Sequence, residues 1–321
     1  MHALAFSGGK YHDIESRRHE NLYEVKVMLF KTLRLKHNIR GYGWVVLVLA
    51  LSACSTVRLG YNQADTLALY FADSYLDLDS EQEAVWRESL KRLVSWHRQN
   101  ELPLYSKELA RVQQGLQAPV QIEQVQALND SLRTSLTRTA HMAAPMLADL
   151  MLGLRPEQVT YFRQRLDKSN RDYREEQLAG NDEAQKTRRH ERLMTQLERW
   201  FGDFNAAQRE QIRRWSDARP LRGELWYSER LRRQDELLGL MRWAVQERPP
   251  APVLTQRLKA WIDTWGSTPQ PERRALVNES REQMMLLLTQ VTNLTDISQK
   301  RLAVRRVQTW IDDFNVLVAQ R

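Results

Sequence analysis

The stretch LDSEQEAVWRESLKRLV, residues 78–94, decides the fold class. It begins with Asp79 and, three residues later, Gln82, a pattern that is typical of a capped helix start. Apolar residues then recur at spacings of three and four, which places them on one face of an α-helix. The stretch therefore predicts an amphipathic helix that begins near residue 80. Its apolar positions are Val85, Trp86, Leu90, Leu93 and Val94.

The same helical period continues along the chain after residue 54. The clearest later apolar runs fall at 193–201, 238–245, 277–291 and 302–317. No stretch alternates between apolar and polar residues as a β-strand would. We therefore predict an all-α fold, an irregular multi-helix bundle of roughly ten helices. The predicted helices span residues 62–76, 80–100, 103–117, 120–152, 156–178, 183–203, 206–218, 221–247, 253–266, 272–293 and 296–319.

Prolines separate most of these helices. All ten prolines follow Cys54, and most fall between the apolar runs, where proline is tolerated. Pro145 instead falls inside the pattern of the helix at 120–152, so we expect it to kink or divide that helix. The Pro-rich stretch at 249–252 is a candidate subdomain boundary, and a tight corner is the alternative.

The helix start at Leu78–Gln82 has three relatives elsewhere in the chain. Leu154–Gln158 and Phe204–Gln208 also place Gln four positions after an apolar residue, and Leu294–Gln299 has one residue more. In a capped start, the Gln side chain bonds back to the amide of the N-cap residue. The four segments therefore predict four helix starts of similar local geometry.

The second residue of each start is the predicted N-cap. Asp79, Asn205 and Thr295 can accept from the free amides of the first turn, whereas Arg155 is a poor cap that Pro156 partly compensates. The starts resemble the Leu-Thr-x-x-Gln motif of the Spy/CpxP family of periplasmic helical chaperones. That resemblance implies an apolar concave face, ringed by Arg, that holds unfolding clients. Generic capping of successive helices is the alternative.

The only cysteine, Cys54, follows a short apolar run, Trp44–Leu51. The run is shorter than the about 20 apolar residues of a membrane-spanning helix, but it fits the apolar region of a secretory signal. The expected basic region precedes it and consists of Lys31, Arg34, Lys36 and Arg40. The sequence therefore predicts export.

The end of this signal resembles the bacterial lipobox. Leu51, Ser52, Ala53 and Cys54 give the order Leu-small-small-Cys. The resemblance implies that the Cys54 sulfur carries diacylglycerol, that the signal is cut before Cys54, and that the acylated residue anchors the protein in a membrane. Because Ser55 rather than Asp follows, we expect the periplasmic face of the outer membrane, with the inner membrane as the alternative. A buried cysteine in an apolar N-terminal helix is the competing interpretation.

These features divide the chain into four segments. We expect residues 1–27, which mix acids and bases, to arise from a misplaced start codon, with translation beginning at Met28. Residues 28–53 are the predicted lipoprotein signal peptide and 54–61 the lipidated tether. Residues 62–321 are the predicted helical periplasmic domain.

Composition predicts a folded domain of modest charge. The chain has 48 Lys and Arg against 40 Asp and Glu, a net charge of +8, but half of that excess lies before Cys54. With Cys54 acylated no disulfide is available, so packing alone must hold the domain. Tryptophans supply large apolar surfaces for that purpose. Because export separates the protein from nucleic acid, we expect none as a partner.

A second resemblance covers most of the chain after the signal. It rests on Cys54–Asn62, Ala64-Asp65, Leu76–Leu78 and Trp96–Pro103. These segments resemble a family of proteobacterial lipoproteins whose domain has no known function. The resemblance implies a helical lipoprotein and supplies neither an activity nor catalytic residues.

Catalytic motifs are not recognisable in the sequence. His97, His141 and His190 follow Cys54 far apart, without a His-Glu-x-x-His helix for zinc. We find no Gly-x-Ser-x-Gly elbow and no Gly-rich phosphate loop. We therefore expect no metal, no cofactor and no enzymatic activity. The alternative is a peptidoglycan-cleaving enzyme that uses a carboxylate pair.

Two groups of residues are candidates for binding. Trp96, His97 and Arg98 form one group; the other interpretation of His97 is a partly buried residue near a helix end, where positive charge is favourable. The second group is a basic run that could meet anionic headgroups or acidic peptides, or form a solvated helix face. It contains Arg188, Arg189 and Arg192.

Together these features predict a lipid-anchored periplasmic binding module. We expect it to engage a protein client or another envelope component through a groove of apolar and Arg side chains. A Spy/CpxP-like chaperone is the first alternative and the peptidoglycan-cleaving enzyme is the second.

Overall fold

The structure, a computed structural model, describes residues 56–266 and 268–320. These residues form twelve α-helices and contain no β-strand, which confirms the all-α multi-helix bundle. These described residues group as one compact unit. The predicted signal and Cys54 lie outside the described residues.

Short turns join the helices, and the described part of the chain adds two single-turn elements. A π-helical turn, Arg174–Leu178, continues α6, and a 3₁₀ turn, Thr264–Gly266, continues α10. The helices are α1 (Thr56–Asn62), α2 (Ala64–Leu76), α3 (Ser80–Asn100), α4 (Leu102–Gly115), α5 (Ile122–Gly153), α6 (Pro156–Tyr173), α7 (Asp182–Phe201), α8 (Ala206–Ala218), α9 (Gly223–Glu247), α10 (Ala251–Asp263), α11 (Pro271–Leu294) and α12 (Ile297–Ala319).

Helix α1 is the element that the sequence did not predict. Residues 56–61 were assigned to the tether, yet they form a short helix that packs on α12. The Arg58 side chain pairs with Asp313 at 3.0 Å, and Val57 and Tyr61 pack against a small apolar cluster. A helix this short is marginal by itself, so these contacts stabilise it.

Helix α5 runs unbroken through Pro145. Pro145 was expected to kink or divide this helix, and it does not divide it. Residues 249–252 form the corner between α9 and α10, and both helices contribute to the same core.

The largest core cluster joins α2, α3, α5, α6, α9 and α10. Helix α5 packs on α10, and two fully buried small residues of α5, Ala144 and Ala148, share this cluster with the fully buried Leu254 and Leu258 of α10. Small side chains at such a contact allow the two helices to approach closely. Val85 was expected on the buried face of α3 but is 63% exposed, because it lies about 100° around the helix from Trp86.

The recurring helix starts meet in pairs. Gln82, at the start of α3, and Gln158, at the start of α6, exchange side-chain hydrogen bonds of 2.8 and 3.1 Å. The side-chain oxygen of each glutamine also accepts from the backbone amide of its N-cap residue, which is Asp79 for Gln82 and Arg155 for Gln158. The Gln82 amide further donates to the Gly153 carbonyl at the end of α5. The capping prediction is confirmed for these two starts, and the glutamine pair also joins the α2–α3 hairpin to the α5–α6 hairpin.

The second pair repeats this arrangement. Gln208, at the start of α8, and Gln299, at the start of α12, exchange hydrogen bonds of 2.9 and 3.2 Å. Gln208 also donates to the Leu294 carbonyl at the end of α11. The predicted N-cap Thr295 is wrong: Asp296 caps α12. Asp296 stands three residues before Gln299, the spacing that separates Asp79 from Gln82.

The glutamine pairs define two four-helix units, α2–α3–α5–α6 and α7–α8–α11–α12. In each unit the first helix packs on the second and the fourth, and the second packs on the third. In each unit, one or two further helices lie between the second and the third helix of the unit, and at least one of them packs on the other unit. Helix α4 of the first unit packs on α12, and α10 of the second packs on α5.

Candidate functional site

The predicted residues Trp96, His97 and Arg98 lie in the last turns of α3, where His97 and Arg98 contact α1. The His97 ring packs between two tyrosines, with its Nδ1 atom 2.9 Å from the Tyr61 hydroxyl and its centroid 5.6 Å from that of Tyr105. The Trp96 carbonyl accepts from the Asn100 side chain.

The electrostatics of this cluster favour neutral groups. Burial lowers the pKa of His97 below its ordinary value, against the opposing effect of the Glu101 carboxylate. Burial raises the pKa of Tyr61 to about 12, although Arg98 acts in the opposite direction. The imidazole and the phenol are therefore both uncharged at neutral pH, which suits a structural hydrogen bond better than proton transfer.

Arg98 joins three elements. Its guanidinium lies 5.5 Å from the Tyr61 ring centroid, donates to Asn62 Oδ1 at 2.9 Å, and donates to the Gln320 carbonyl at 3.2 Å. The first two partners belong to α1 or its end, and the third follows α12. The Trp96–Arg98 group is thus a junction of α1, α3 and the carboxyl end of α12.

The adjacent ion pair was missed by the sequence reasoning. Glu101, between α3 and α4, is completely buried, and Arg138 of α5 binds both its carboxylate oxygens at 2.5 and 2.7 Å. Burial acts to raise the pKa of Glu101, but the hydrogen bonds from Arg138 and Ser135 outweigh it and leave the pKa below its ordinary value. The sequence feature that could have indicated this ion pair is the acidic residue immediately before Leu102-Pro103.

The basic group on α7 serves mainly as a cap. The Arg189 guanidinium donates to the carbonyls of Ser216, Arg219 and Pro220 at 2.7, 3.1 and 3.1 Å, and burial lowers its pKa. Cationic donors are favourable at such a helix end. Arg188 donates to the Ala179 carbonyl, while Arg192 is exposed. The three arginines therefore do not form one open anion site.

A groove between α9 and α10 has the chemistry that the sequence predicted without naming residues. It is shallow and open to solvent, with a volume of about 510 Å³. The Arg257 guanidinium lies over the Trp243 ring, 4.2 Å from its centroid. Trp261 packs edge-on against Trp265 at 5.2 Å. The lining comprises Glu236, Gly239, Leu240, Trp243, Arg257, Ala260, Trp261 and Thr264.

Two features keep this groove open and polar at its rim. A Cβ atom added to Gly239 would meet no atom within 4 Å, so the glycine leaves space beside the aromatic rings. The Glu236 carboxylate is held by Arg232 at 2.7 Å. The Trp261 Nε1 atom is shielded from solvent and finds no acceptor in the described ranges. The arrangement can stack on planar or aliphatic groups and pair with charges.

The described residues offer little for metal or membrane-spanning roles. Within 56–266 and 268–320, no three His, Cys, Asp or Glu side chains gather as metal ligands would. In the same ranges, no helix combines the length and apolar character required to span a bilayer. The His141–Asp263 pair, at 2.8 Å, joins α5 to α10.

Comparison with known proteins gives one match. The model of a family of unknown function (DUF6279) matches residues 74–266, a range that contains the groove, the Trp96–Arg98 group and the α7 arginines. No curated protein and no solved structure matches the chain. Because the match covers more than half of the chain, the expected relation to a family without known function is confirmed. The protein belongs to the family of unknown function DUF6279.

Proposed function

We propose that the protein is a lipid-anchored periplasmic binding module without enzymatic activity. It engages a protein client or another envelope component through the groove between α9 and α10. The observation that carries this proposal is the exposed Arg257 guanidinium stacked on Trp243 beside the space at Gly239. It requires no cofactor and no nucleic acid.

The cellular location rests on the sequence around Cys54. Leu51, Ser52 and Ala53 give the lipobox order, and two or more acyl chains at Cys54 anchor a protein stably. Ser55 favours the outer membrane over the inner membrane. Mass spectrometry of protein from the native host, together with separation of the two membranes, tests both statements. An unmodified Cys54 in an uncut chain overturns the anchored location.

The binding role rests on the composition of the groove. Trp and Arg dominate the energetically important positions of protein interfaces, and a guanidinium over an indole ring is a favourable contact. The Trp261 ring, which packs edge-on against Trp265, adds apolar surface to the same groove.

Site-specific photocrosslinking in cells tests the groove. A photoreactive amino acid replaces Ala260, which lines the groove, and the control replaces Ala207, an exposed alanine of α8. We expect a discrete crosslinked product only from position 260. Gly239→Phe fills the groove and should reduce that product several-fold. Identical products from both positions, or no effect of Gly239→Phe, contradict the proposal.

A chaperone-like function is the second candidate. The observation that favours it is the pairing of the helix starts that resemble the Spy/CpxP motif, through Gln82–Gln158 and Gln208–Gln299. A holder of clients suppresses aggregation of a model substrate at near-stoichiometric ratio. Absence of suppression removes this candidate, and suppression that Gly239→Phe abolishes assigns it to the groove.

A zymogram tests the non-enzymatic part of the proposal. The purified protein is placed in a gel that contains cell-wall substrate. We expect no clearing. Clearing by the wild type would favour the peptidoglycan-cleaving alternative and overturn the binding-only proposal.

A further inference from the structure

The exposed side of α1 and α2 carries no charge. Between Thr56 and Leu76 the charged residues are Arg58, Asp65 and Asp73, and all three are partly buried. Charged residues make up 27% of the whole chain, so an exposed surface without them is unusual. The exposed residues are Thr56, Leu59, Gly60, Asn62, Gln63, Thr66, Leu67, Tyr70 and Phe71.

The centre of this uncharged face is apolar. Leu67, Tyr70 and Phe71 lie within about one helical turn of each other and are 48%, 53% and 61% exposed. The opposite side of α2 is packed, because Leu69 and Leu76 belong to the largest core cluster. The exposure therefore belongs to a well-packed helix with one free apolar side.

The face has a fixed position on the body. Helix α1 is held by the Arg58–Asp313 ion pair at 3.0 Å and the Tyr61–His97 hydrogen bond at 2.9 Å. Helix α2 packs on α3 and α6. A surface that meets this face consequently sets the orientation of the whole domain.

We propose that the uncharged face of α1 and α2 rests on the lipid bilayer, with Leu67, Tyr70 and Phe71 in the headgroup region. The inference depends on the proposed lipidation of Cys54. Only Ser55 separates Cys54 from Thr56, the first residue of α1, so the α-carbons of Cys54 and Thr56 are at most about 7 Å apart. An acylated Cys54 therefore keeps the start of α1 close to the bilayer.

The chemistry of the face fits lipid. Interfacial helices bury an apolar side at the boundary between headgroups and acyl chains, and aromatic side chains are favourable there. A charged exposed side would lose hydration on such contact, and this face has none. The membrane contact thus gives the anchored domain a defined orientation.

Spin-label accessibility tests the contact in the intact lipidated protein. Because a thioether blocks Cys54, Phe71→Cys supplies the single reactive thiol for a nitroxide. The matched control is Ala207→Cys, an exposed position on α8. Both proteins are reconstituted in phosphatidylethanolamine–phosphatidylglycerol vesicles. Collision rates with oxygen, which concentrates in lipid, and with a water-soluble nickel chelate are then measured.

We expect the label at 71 to be several-fold less accessible to nickel than the label at 207, and more accessible to oxygen. Equal nickel access at both positions overturns the inference. Low access to both reagents at position 71 indicates contact with a second copy and overturns it as well. Mass spectrometry of the same sample separates the two proposals. An acylated Cys54 with a water-exposed label leaves the proposed function intact, whereas an unacylated Cys54 removes its anchored location.

Discussion

The two four-helix units use the same device in different surroundings. In the first, Gln158 donates to the Asp77 carbonyl after α2, and in the second Gln299 donates to the Asp203 carbonyl after α7. The N-caps differ. Arg155 caps poorly and instead pairs with Asp79 across the joint at 2.6 Å, whereas Asn205 caps its helix directly.

The comparison shows that the glutamines are common to both units, whereas the N-cap residues vary. Glutamine occupies all four equivalent positions, 82, 158, 208 and 299, because only a long side-chain amide can accept from its cap and donate across the joint together. The N-cap varies between Asp, Arg and Asn. The ion pair between the buried Glu101 and the partly exposed Arg138 supports the first unit at its junction with α4.

Loss of the ion pair should have the largest effect. Arg138→Met leaves the fully buried Glu101 carboxylate without its cation, and we expect a loss of about 3–5 kcal/mol in the free energy of unfolding. Glu101→Gln should cost less, because the Arg138 side chain is 43% exposed and can regain water. Urea denaturation of both variants measures the difference.

The pH dependence provides a control for that variant. In the wild type the pKa of Glu101 is lowered, so its stabilising contribution is lost as the pH falls through the folded value. In Arg138→Met, burial raises the pKa of Glu101. The difference in the free energy of unfolding between the variant and the wild type should therefore become smaller at acidic pH. A loss that does not change with pH contradicts this account.

The glutamine pairs should rank next. Gln158→Ala removes the donor to the carbonyls of Leu76 and Asp77, and we expect a loss of about 2–3 kcal/mol from the unsatisfied groups. Gln299→Ala should cost a similar amount if the two units are equivalent. A double-mutant cycle of Gln82→Ala with Gln158→Ala should show coupling, while Gln82→Ala with Gln299→Ala should be additive.

The turns that precede the second helix of each unit should respond unequally. Gly202 has φ +77° and ψ −158°, a region that is nearly restricted to glycine. Its equivalent, Asp77, has φ 50° and ψ 61°, a left-handed conformation that Asp tolerates. We expect Gly202→Ala to cost about 2 kcal/mol, and Asp77→Gly to be neutral or slightly stabilising. Thermal unfolding measures both.

The N-caps should differ more modestly. Asn205→Ala removes the side-chain oxygen that accepts from the Gln208 backbone amide at 2.9 Å. We expect a loss of about 1 kcal/mol in the free energy of unfolding. Arg155→Ala removes only exposed pairs and should leave stability nearly unchanged. A large loss for Arg155→Ala, measured by the same denaturation, would show that the cross-joint ion pair matters after all.

The acidic caps should contribute the smallest signal, visible in the pH dependence. Hydrogen bonds to the Asp79 and Asp296 carboxylates lower the pKa of each. Their stabilising contribution is present above about pH 4 and falls as the pH drops through the folded value. Asp296→Asn should flatten the acid limb of stability, and Asn205→Asp should steepen it. Unchanged acid limbs contradict the assignment.

The sequence predicted most helix ends correctly because local signals determine them. Asp79 and Gln82 fix the start of α3, and Pro156 fixes that of α6. It missed α1, whose stability comes from the distant Asp313, and it placed the cap of α12 on Thr295 because the start there has one extra residue. The pairing of the glutamines joins positions 76 and 91 residues apart, a separation that local patterns do not encode.

The candidate sites show the same limit. Sequence reasoning selected His97 and Arg189 for their residue types, and the structure places both in internal roles. The groove unites Trp243 with Arg257 and Trp261, which are contributed by two helices. Only the packing of α9 on α10 brings them together.

The packing of α4 on α12 affects how the chain matures. Leu102 and Tyr105 of α4 pack with Phe314 and Leu317 of α12, and Gln113 bonds to Gln308 at 2.9 Å. During synthesis, which proceeds from the amino end, α4 therefore remains uncovered until α12 has been made. Deletion of α12 would remove the cover of a segment that was made long before.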